Sequence, residues 1–152
     1  MQFLADSMLG RLARWLRFAG IDCAYERDRQ DRPFLARARA ETRVILTLDR
    51  DLAAKAGTMA LLVHSSNYLE QLREVFDAFH LSAGRALTRC GDCNTPLARV
   101  AREEVFGRVP ARVYQTSRAF YVCTGCNRLY WPGTHAASIE ETIRLTCQPP
   151  RA

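Results

Sequence analysis

The segment Met1–Gly20, with the sequence MQFLADSMLGRLARWLRFAG, carries the pattern that decides the fold. Gln2–Asp6 is a short apolar run that ends in an acid, which is typical of a buried strand. In Met8–Phe18, apolar residues recur at positions i, i+3, i+4 and i+7, which predicts a helix with one buried face. Gly20 is expected to end this helix, because glycine readily adopts the left-handed conformation found there.

The alternation of strand and helix continues to about residue 82. Three more apolar runs are predicted strands, namely Ile21–Tyr25, Val44–Thr47 and Ala60–Val63. The predicted helices are residues 32–41 with Asp31 as the N-cap, a short helix from Asp49 or Arg50 to Gly57, and Tyr68–Phe79. Strands that alternate with helices predict βαβ units and a parallel sheet covered on both faces. We therefore expect an α/β fold in this part of the chain.

The composition is that of a globular protein with a basic surface. Hydrophobic residues make up 48% and charged residues 25% of the 152 positions, so a core is feasible and disorder of the whole chain is not expected. The formal net charge is +6, and 21 of the 22 basic residues are arginine. Arginine binds phosphate through paired hydrogen bonds, so nucleic acid is the expected partner. A basic protein without such a partner is the alternative.

The first residues of the chain and its cysteines indicate the cellular compartment in which the protein is expected. The first residues lack the charged and apolar regions of a signal peptide, and no apolar run approaches the ~18 residues of a membrane span. A cytoplasmic protein with no membrane partner is therefore expected. In that compartment the six cysteines are expected to bind metal rather than to form disulfides.

Four cysteines form two CxxC pairs, Cys90 with Cys93 and Cys123 with Cys126, separated by 29 residues. Each pair directs two thiolates at one ion, and four thiolates complete a structural zinc site with no open position for catalysis. The glycine within each pair is expected to provide backbone freedom, and the spacer is long enough for the β-hairpin of a zinc ribbon. Two redox-active dithiols are the alternative, but such a pair opens a helix after a strand, and neither pair is predicted to lie there.

Three aspartates are predicted to meet at one edge of the parallel sheet. Asp6 follows the first strand, Asp31 opens the helix after the second, and Asp49 follows the third. In an open parallel sheet, ligands bind outside the carboxyl ends of the strands. Converging carboxylates repel one another unless a cation lies among them, and Mg²⁺ or Mn²⁺ suits such a site. Because metal-activated water hydrolyses phosphodiesters, the three aspartates are predicted to be catalytic metal ligands.

The aspartates also have a simpler interpretation. Any one of them can serve only as a helix N-cap, since aspartate is favoured at that position. Asp28 and Asp51 are close enough in the sequence to replace one of the three. Thr47 or Asn67 is expected to contact the metal-ligating carboxylates without binding the metal itself.

Two sets of residues are candidates for contact with RNA. Arg11, Arg14 and Arg17 lie at i, i+3 and i+6 on the first helix, opposite its buried face. Such a row is either a solvated face or a track that leads an RNA backbone toward the metal. The second set is aromatic, and it either stacks on unpaired bases or packs inside the ribbon: Tyr121, Tyr130 and Trp131.

Several segments resemble the Mut-seven C-terminal RNase domain family, in which a PIN-like domain precedes a zinc ribbon. They are Phe3–Arg17, Leu46–Arg50, Arg89–Asn94 and Tyr130–His135. The resemblance implies a PIN-like α/β fold, metal-dependent ribonuclease activity and family acids at Asp6, Asp31 and Asp49. The chain departs from the family at Leu48, which stands where the family usually has the arginine of Thr-Arg-Asp. That change removes a potential phosphate contact.

The patterns and the resemblance together predict a PIN-like nuclease domain over residues 1–82, a small β-rich zinc ribbon over 86–135 and a C-terminal helix or tail over 136–152. The tail is expected to be loose from Gln148. The predicted function is cleavage of RNA with catalytic Mg or Mn, with a structural zinc ribbon that aids RNA binding. A non-catalytic RNA-binding module, associated with ribosomes or tRNA, is one alternative. A metal-dependent phosphatase is another, although Asp6-Ser7-Met8 lacks the second aspartate of an aspartyl-phosphate motif.

Overall fold

The computed structural model describes residues 1–28, 30–84 and 87–147, which form two separate sheets. The strands are β1 Gln2–Ala5, β2 Asp22–Tyr25, β3 Val44–Thr47, β4 Ala60–Leu62, β5 Leu97–Val100, β6 Phe120–Cys123 and β7 Leu129–Tyr130. The helices are α1 Gly10–Phe18, α2 Asp31–Ala40, α3 Arg50–Ala56, α4 Tyr68–Ala78, α5 Ala111–Thr116 and α6 Thr134–Cys147. Short 3₁₀ helices cover Ser7–Leu9, Gly57–Met59 and Arg102–Val105.

The first sheet is parallel, with strand order β2-β1-β3-β4, and helices cover both of its faces. Successive side chains of a strand point to opposite faces, so Phe3 packs with α1 and α4 while Leu4 packs with α2 and α3. This arrangement confirms the predicted α/β fold with a parallel sheet and flanking helices. We call β1–β4 with α1–α4 and α6 the α/β layer.

The helix starts show where local prediction succeeds and where it fails. Asp49 caps α3, and its carboxylate accepts hydrogen bonds from the backbone N–H groups of Asp51 at 2.9 Å and Leu52 at 3.1 Å. Asp31 was predicted to cap α2, and this is wrong: Gln30 occupies the cap position and Asp31 lies in the first turn. The carboxylate of Asp31 instead pairs with Lys55 at 2.6 Å.

The second sheet is antiparallel, with order β5-β6-β7, and it holds the two CxxC turns at one end. We call these turns and strands, Cys90–Tyr130, the ribbon. Between β5 and β6 the chain forms the 3₁₀ helix Arg102–Val105 and the six-residue helix α5, which the sequence did not predict. A helix this short is less than two turns long, so no apolar periodicity could reveal it.

The chain returns to the α/β layer in α6. Ile143 of α6 is buried in the same cluster as Phe76 of α4, and the Arg73 side chain donates to the backbone oxygen of Thr146 at 3.1 Å. The ribbon is therefore inserted between two helices that pack together. The tail predicted from Gln148 lies outside the described residues. No described helix combines the length and apolarity that a bilayer crossing requires.

Arg17 joins the ribbon to the α/β layer. Its guanidinium donates to the backbone oxygens of Cys23 at 2.7 Å, Gly91 at 3.1 Å and Asp92 at 2.8 Å. Only 6% of the residue is exposed. The prediction that all three arginines of α1 face solvent is therefore wrong for Arg17, whose Nε and Nη1 groups donate to carbonyl groups inside the protein.

Asn94 and Asp22 form a second connection at the edge of the parallel sheet. Cys23 of the edge strand donates its N–H to the side-chain oxygen of Asn94 at 3.1 Å, and the Asn94 amide donates to Asp22 at 2.8 Å. Asp22 also pairs with Arg43 at 2.6 Å and Arg89 at 3.1 Å. Burial opposes ionisation, but the bonds from Arg43 and Asn94 hold the pKa of Asp22 below its usual range. The ribbon thus covers an edge strand that would otherwise expose unpaired backbone groups.

Replacing Arg17 with methionine should destabilise the protein by about 2–4 kcal/mol, because buried carbonyl groups lose a charged donor. The matched control is Arg14→Met on the next turn of the same helix, where the side chain is 53% exposed. That change should alter the free energy of unfolding by about 0.5 kcal/mol or less. Urea unfolding of both variants measures the difference. Equal losses in the two variants would contradict the assigned role of Arg17.

Candidate metal centre and aspartate edge

The four cysteines of the CxxC pairs converge on one point. Their sulfur atoms all lie within 4.8 Å of one another. The Sγ atoms of Cys90 and Cys126 are 3.7 Å apart, and those of Cys93 and Cys123 are 3.3 Å apart. Tetrahedral zinc with Zn–S bonds of roughly 2.3 Å separates its sulfurs by about 3.8 Å. The cluster therefore fits a single metal ion held by four sulfurs.

The two CxxC turns are built alike. In each, the residue after the second cysteine donates its N–H to the first: Asn94 to the oxygen of Cys90 at 3.0 Å, and Asn127 to that of Cys123 at 2.8 Å. Both asparagines have positive φ, 68° and 60°, a conformation that asparagine tolerates better than most residues. The shared CxxCN pattern was the sequence signal for this geometry, and it was not used.

The glycines of the two turns serve packing rather than backbone freedom. Neither Gly91 nor Gly125 has positive φ. A Cβ on Gly91 would overlap the Phe18 ring, and one on Gly125 would lie 2.7 Å from the hydroxyl of Thr95. Gly91 therefore lets the ribbon approach α1 closely.

The thiols of the cluster share protons unevenly. Burial opposes ionisation of Cys93, but hydrogen bonds with Thr95 and the neighbouring thiols lower its pKa to about 6. For Cys126, a backbone hydrogen bond at Arg128 acts to lower the pKa, but desolvation and the other three thiols raise it to about 12. One sulfur thus ionises readily next to another that keeps its proton. Metal ions bind the thiolate form, so binding would displace the remaining protons.

The other two cysteines lie apart from the cluster. Cys23 is buried in β2, and burial raises the pKa of its thiol to about 12. Burial also raises the pKa of Cys147 in α6 to about 11. Neither is in the metal-ligand group, and both are held in the unreactive thiol form.

Asp6 lies at the carboxyl end of β1 and is fully buried. One carboxylate oxygen accepts from the N–H of Met8 at 3.0 Å, and the other accepts from the hydroxyl of Thr47. The same hydroxyl accepts from the N–H of Asp49 at 2.9 Å. Thr47, at the end of β3, therefore links Asp6 to the turn that carries Asp49. These contacts place Thr47 beside Asp6 and Asp49, and its support of metal ligands stays a prediction.

Lys55 of α3 connects Asp31 to the same region. Its ammonium lies 2.6 Å from the Asp31 carboxylate, and the two side chains are 55% and 35% exposed. The hydrogen bond to Asp31 and its charge raise the pKa of Lys55, with smaller contributions from Asp51 and Asp49. Sequence analysis missed Lys55, although it is the single lysine among 22 basic residues. We call Asp6, Asp31 and Asp49 with Thr47 and Lys55 the aspartate edge.

The aspartate edge is less compact than the cysteine cluster. Over residues 1–28, 30–84 and 87–147, the cysteines are the only group of three or more His, Cys, Asp or Glu ligands gathered within 4.8 Å. Thr47 links Asp6 to the turn of Asp49, whereas Asp31 pairs with Lys55, on which Asp49 has only a small electrostatic influence. Of the alternatives, Asp51 lies in the first turn of α3 beside Lys55, and Asp28 is exposed in the loop after β2.

Two arginines of the predicted basic row remain at the surface of α1. The Arg11 guanidinium lies over the Tyr68 ring, 4.0 Å from its centroid, in a cation–π contact. Arg14 pairs with Asp92 of the ribbon at 3.5 Å. Both are exposed, and they lie one turn apart along the helix that begins just after Asp6. Asn67, the other residue predicted to support the ligands, caps α4.

Comparison with known proteins identifies one family. A family model described as the Mut7-C RNAse domain matches residues 1–143, nearly the whole chain. The searches of curated proteins and of solved structures returned no significant match. The match spans both sheets and most of α6, which confirms the resemblance found in the sequence and indicates ribonuclease activity. The chain therefore belongs to the Mut7-C RNAse domain family.

Proposed function

We propose that this protein is a metal-dependent ribonuclease that hydrolyses RNA phosphodiester bonds at the aspartate edge. Asp6 is the observation that carries the proposal: it is fully buried, it ends an internal strand of the parallel sheet, and protein donors satisfy both of its oxygens. Burying a carboxylate costs free energy, and the donors around Asp6 offset that cost. A buried carboxylate with dedicated donors supports a functional role for this residue. Family membership supports RNA as the substrate.

Asp6, Asp31 and Asp49 would hold Mg²⁺ or Mn²⁺. The donor set fits these ions, because hard cations prefer carboxylate oxygens. It also fits the wider spacing of the aspartate edge, since Mg²⁺ keeps several of its waters and commonly uses only one or two carboxylates directly. When bound, such an ion supplies an activated water and neutralises charge on the phosphate.

The protein's own residues orient the ligands and the substrate. Thr47 fixes the direction of the Asp6 carboxylate and the turn before Asp49. Lys55 holds Asp31 and offsets part of the negative charge that would repel RNA. Arg11 and Arg14 are the exposed cations that would bind backbone phosphates next to the site. Arg17 is left out of this set, because it is buried and its Nε and Nη1 groups donate to backbone carbonyls.

In this proposal the ribbon holds zinc through Cys90, Cys93, Cys123 and Cys126 for a structural purpose. Four sulfur ligands leave no position for substrate. The hydrogen bonds of Arg17 and Asn94 fix the ribbon against α1 and β2 of the α/β layer. The zinc would therefore stabilise the protein without taking part in the reaction.

The proposal is tested by incubating the zinc-loaded protein with labelled single-stranded RNA, duplex RNA and single-stranded DNA. We expect RNA cleavage with Mn²⁺ or Mg²⁺ and none when both are omitted, at constant zinc content. Persistent absence of cleavage across both ions and several RNAs would overturn the proposal.

A non-catalytic RNA-binding module is the second candidate, and one observation favours it. Asp6 and Asp49 both act as caps, of the 3₁₀ helix Ser7–Leu9 and of α3, so each already has a structural use. This candidate predicts RNA binding that is insensitive to Mg²⁺ and Mn²⁺, with no cleavage. The same incubation therefore separates the two functions.

Replacing Lys55 with glutamine should tighten Mn²⁺ binding about fivefold, since removing a nearby positive charge favours a cation by on the order of 1 kcal/mol. Titration of Mn²⁺ into zinc-loaded protein, followed by electron paramagnetic resonance, measures this affinity. Arg112→Gln, an exposed residue of α5, removes the same charge within the ribbon and should leave Mn²⁺ affinity unchanged. Unchanged or weaker Mn²⁺ binding in Lys55→Gln would contradict the proposal that Asp31 is one of the Mn²⁺ ligands.

A further inference from the structure

A cavity of about 430 Å³ lies between the ribbon, α1 and α6, and none of the proposed metal ligands lines it. Residues from all three elements line it, including Arg14, Phe18, Arg128, Trp131, His135 and Ile139. Its volume is in the range of small-molecule sites, and its wall combines apolar and aromatic side chains with a few cationic ones. Of these six residues, only Arg14 has a role in the function proposed above.

The charged residues of the cavity are held in place by a shared partner. Arg14 and Arg128 both pair with the single carboxylate of Asp92, so the group keeps a surplus positive charge. Their side chains are still 53% and 56% exposed, so solvent or a ligand can reach both guanidinium groups. Side chains already ordered by Asp92 lose less conformational freedom when they bind an anion.

The aromatic part of the cavity is Trp131, which is half-buried between β7 and α6. An indole that lines the same cavity as two arginines suits a ligand with a flat aromatic group and a phosphate. A nucleotide has both. His135, exposed at the start of α6, adds a further donor on the same wall.

We propose that this cavity binds an unpaired nucleotide of the RNA, with its base stacked on Trp131 and its phosphate held by Arg14 and Arg128. The inference rests on the proposed function for its choice of ligand, and it narrows the substrate class to single-stranded RNA. A base inside a duplex is stacked on its neighbours and cannot enter such a cavity.

The position of the cavity relative to Asp6 is consistent with one continuous strand of RNA. Arg11 lies in the first turn of α1, Arg14 in the next, and Phe18 ends the helix at the cavity. At 1.5 Å per residue, the distance along α1 from its start to Phe18 is about 12 Å. RNA that reaches from the aspartate edge to the cavity would thus pass the two exposed arginines.

Fluorescence of Trp131 tests the proposal without any need for cleavage. The chain has two tryptophans, and Trp15 packs between Phe18 and Tyr68, so Trp15→Phe leaves Trp131 as the sole indole while keeping an aromatic ring in the packing. Combining it with Asp6→Asn, and omitting Mg²⁺ and Mn²⁺, keeps the RNA intact. Oligouridylate and a duplex of the same length are then titrated into the zinc-loaded protein at several salt concentrations.

We expect saturable quenching of Trp131 by the single strand and none by the duplex. Measured by the anisotropy of a labelled strand, since these variants lack the indole, single-strand binding should weaken about tenfold in Trp131→Ala, because base–aromatic stacking is worth roughly 1–3 kcal/mol, and Trp131→Phe should retain most of the affinity. Arg128→Gln should reduce the salt slope of binding by about one. Phe106→Ala is the matched control, since Phe106 is an aromatic residue 74% exposed elsewhere on the ribbon, and it should leave binding unchanged.

Single-strand binding that neither quenches Trp131 nor weakens in Trp131→Ala would overturn the inference, as would equal quenching by the duplex or a lack of RNA binding. These results are independent of the nuclease proposal. If Trp131→Ala keeps both metal-dependent cleavage and its affinity for single-stranded RNA, the nuclease proposal is supported and nucleotide binding in the cavity is contradicted. Quenching by the single strand, together with no cleavage by the unaltered protein, supports nucleotide binding in the cavity and contradicts the nuclease proposal.

Discussion

Replacing Cys123 with serine should abolish zinc binding and unfold the ribbon. Cys123 is buried at the end of β6, with its sulfur 3.3 Å from that of Cys93. Apart from cysteines, the buried apolar residues of the described ribbon are only Val105 and Phe120. So small a core cannot stabilise a three-stranded sheet, whereas binding of structural zinc contributes on the order of 10 kcal/mol.

The damage should extend into the α/β layer. When the ribbon unfolds, Arg17 loses the carbonyl groups of Gly91 and Asp92, and β2 loses the amide of Asn94. A buried arginine without these acceptors costs about 1–3 kcal/mol or more. We therefore expect a lower midpoint of urea unfolding for the whole chain, and not only proteolysis within the ribbon.

Elemental analysis, limited proteolysis and urea unfolding measure these effects. Unaltered protein should contain one zinc per chain. Cys147→Ser is the matched control, because it removes a thiol that lies outside the cluster, and it should keep the zinc and the protease resistance. A Cys123→Ser protein that keeps one tightly bound zinc, or a native protein that contains none, would contradict the assignment.

The α/β part of the fold was accessible to sequence analysis because its strands are buried on both faces. Val44–Thr47 was predicted with the bounds that the structure has, and the other strands and α1 differ by one or two residues at their ends. Buried parallel strands are short apolar runs, and the helices between them carry a clear apolar stripe. Both signals are local, so a single sequence is enough to reveal them.

The burial of Arg17 could not be predicted, because its environment depends on residues distant in the sequence. By spacing it is equivalent to Arg11 and Arg14 on the same helix. It is buried because Gly91 and Asp92, 74 and 75 positions later, approach α1 and accept its hydrogen bonds. The docking of α6 on α4 is non-local in the same way.

The two candidate sites differ in the same way, because one depends on local motifs and the other on non-local contacts. The cysteine cluster follows directly from two short motifs, and the four sulfurs meet as those motifs predict. The aspartates were selected because strand ends share an edge, but Lys55 lies 24 positions from its partner Asp31 and carries no local signal. A pairing of this kind, between residues distant in the sequence, is visible only in the structure.

Replacing Asp6 with asparagine should reduce metal-dependent cleavage by on the order of a thousandfold or more, because a lost metal ligand removes several kcal/mol of stabilisation from the reaction. The fold should survive. Asparagine keeps an oxygen for the N–H of Met8, and its amide can donate to Thr47. The free energy of unfolding should therefore change by only about 1 kcal/mol. RNA binding without Mg²⁺ or Mn²⁺ should persist or tighten, since a negative charge has gone.

The most direct test is the single-turnover rate of cleavage of one labelled single-stranded RNA in saturating Mn²⁺. It compares the unaltered protein, Asp6→Asn and Asp77→Asn, all with equal zinc content. Asp77→Asn makes the same change in charge at an exposed position of α4 and controls for contaminating nuclease and net charge. Our account predicts that the unaltered protein and Asp77→Asn cleave at similar rates while Asp6→Asn has lost the activity. Full Mn²⁺-dependent cleavage by a folded Asp6→Asn protein would contradict it.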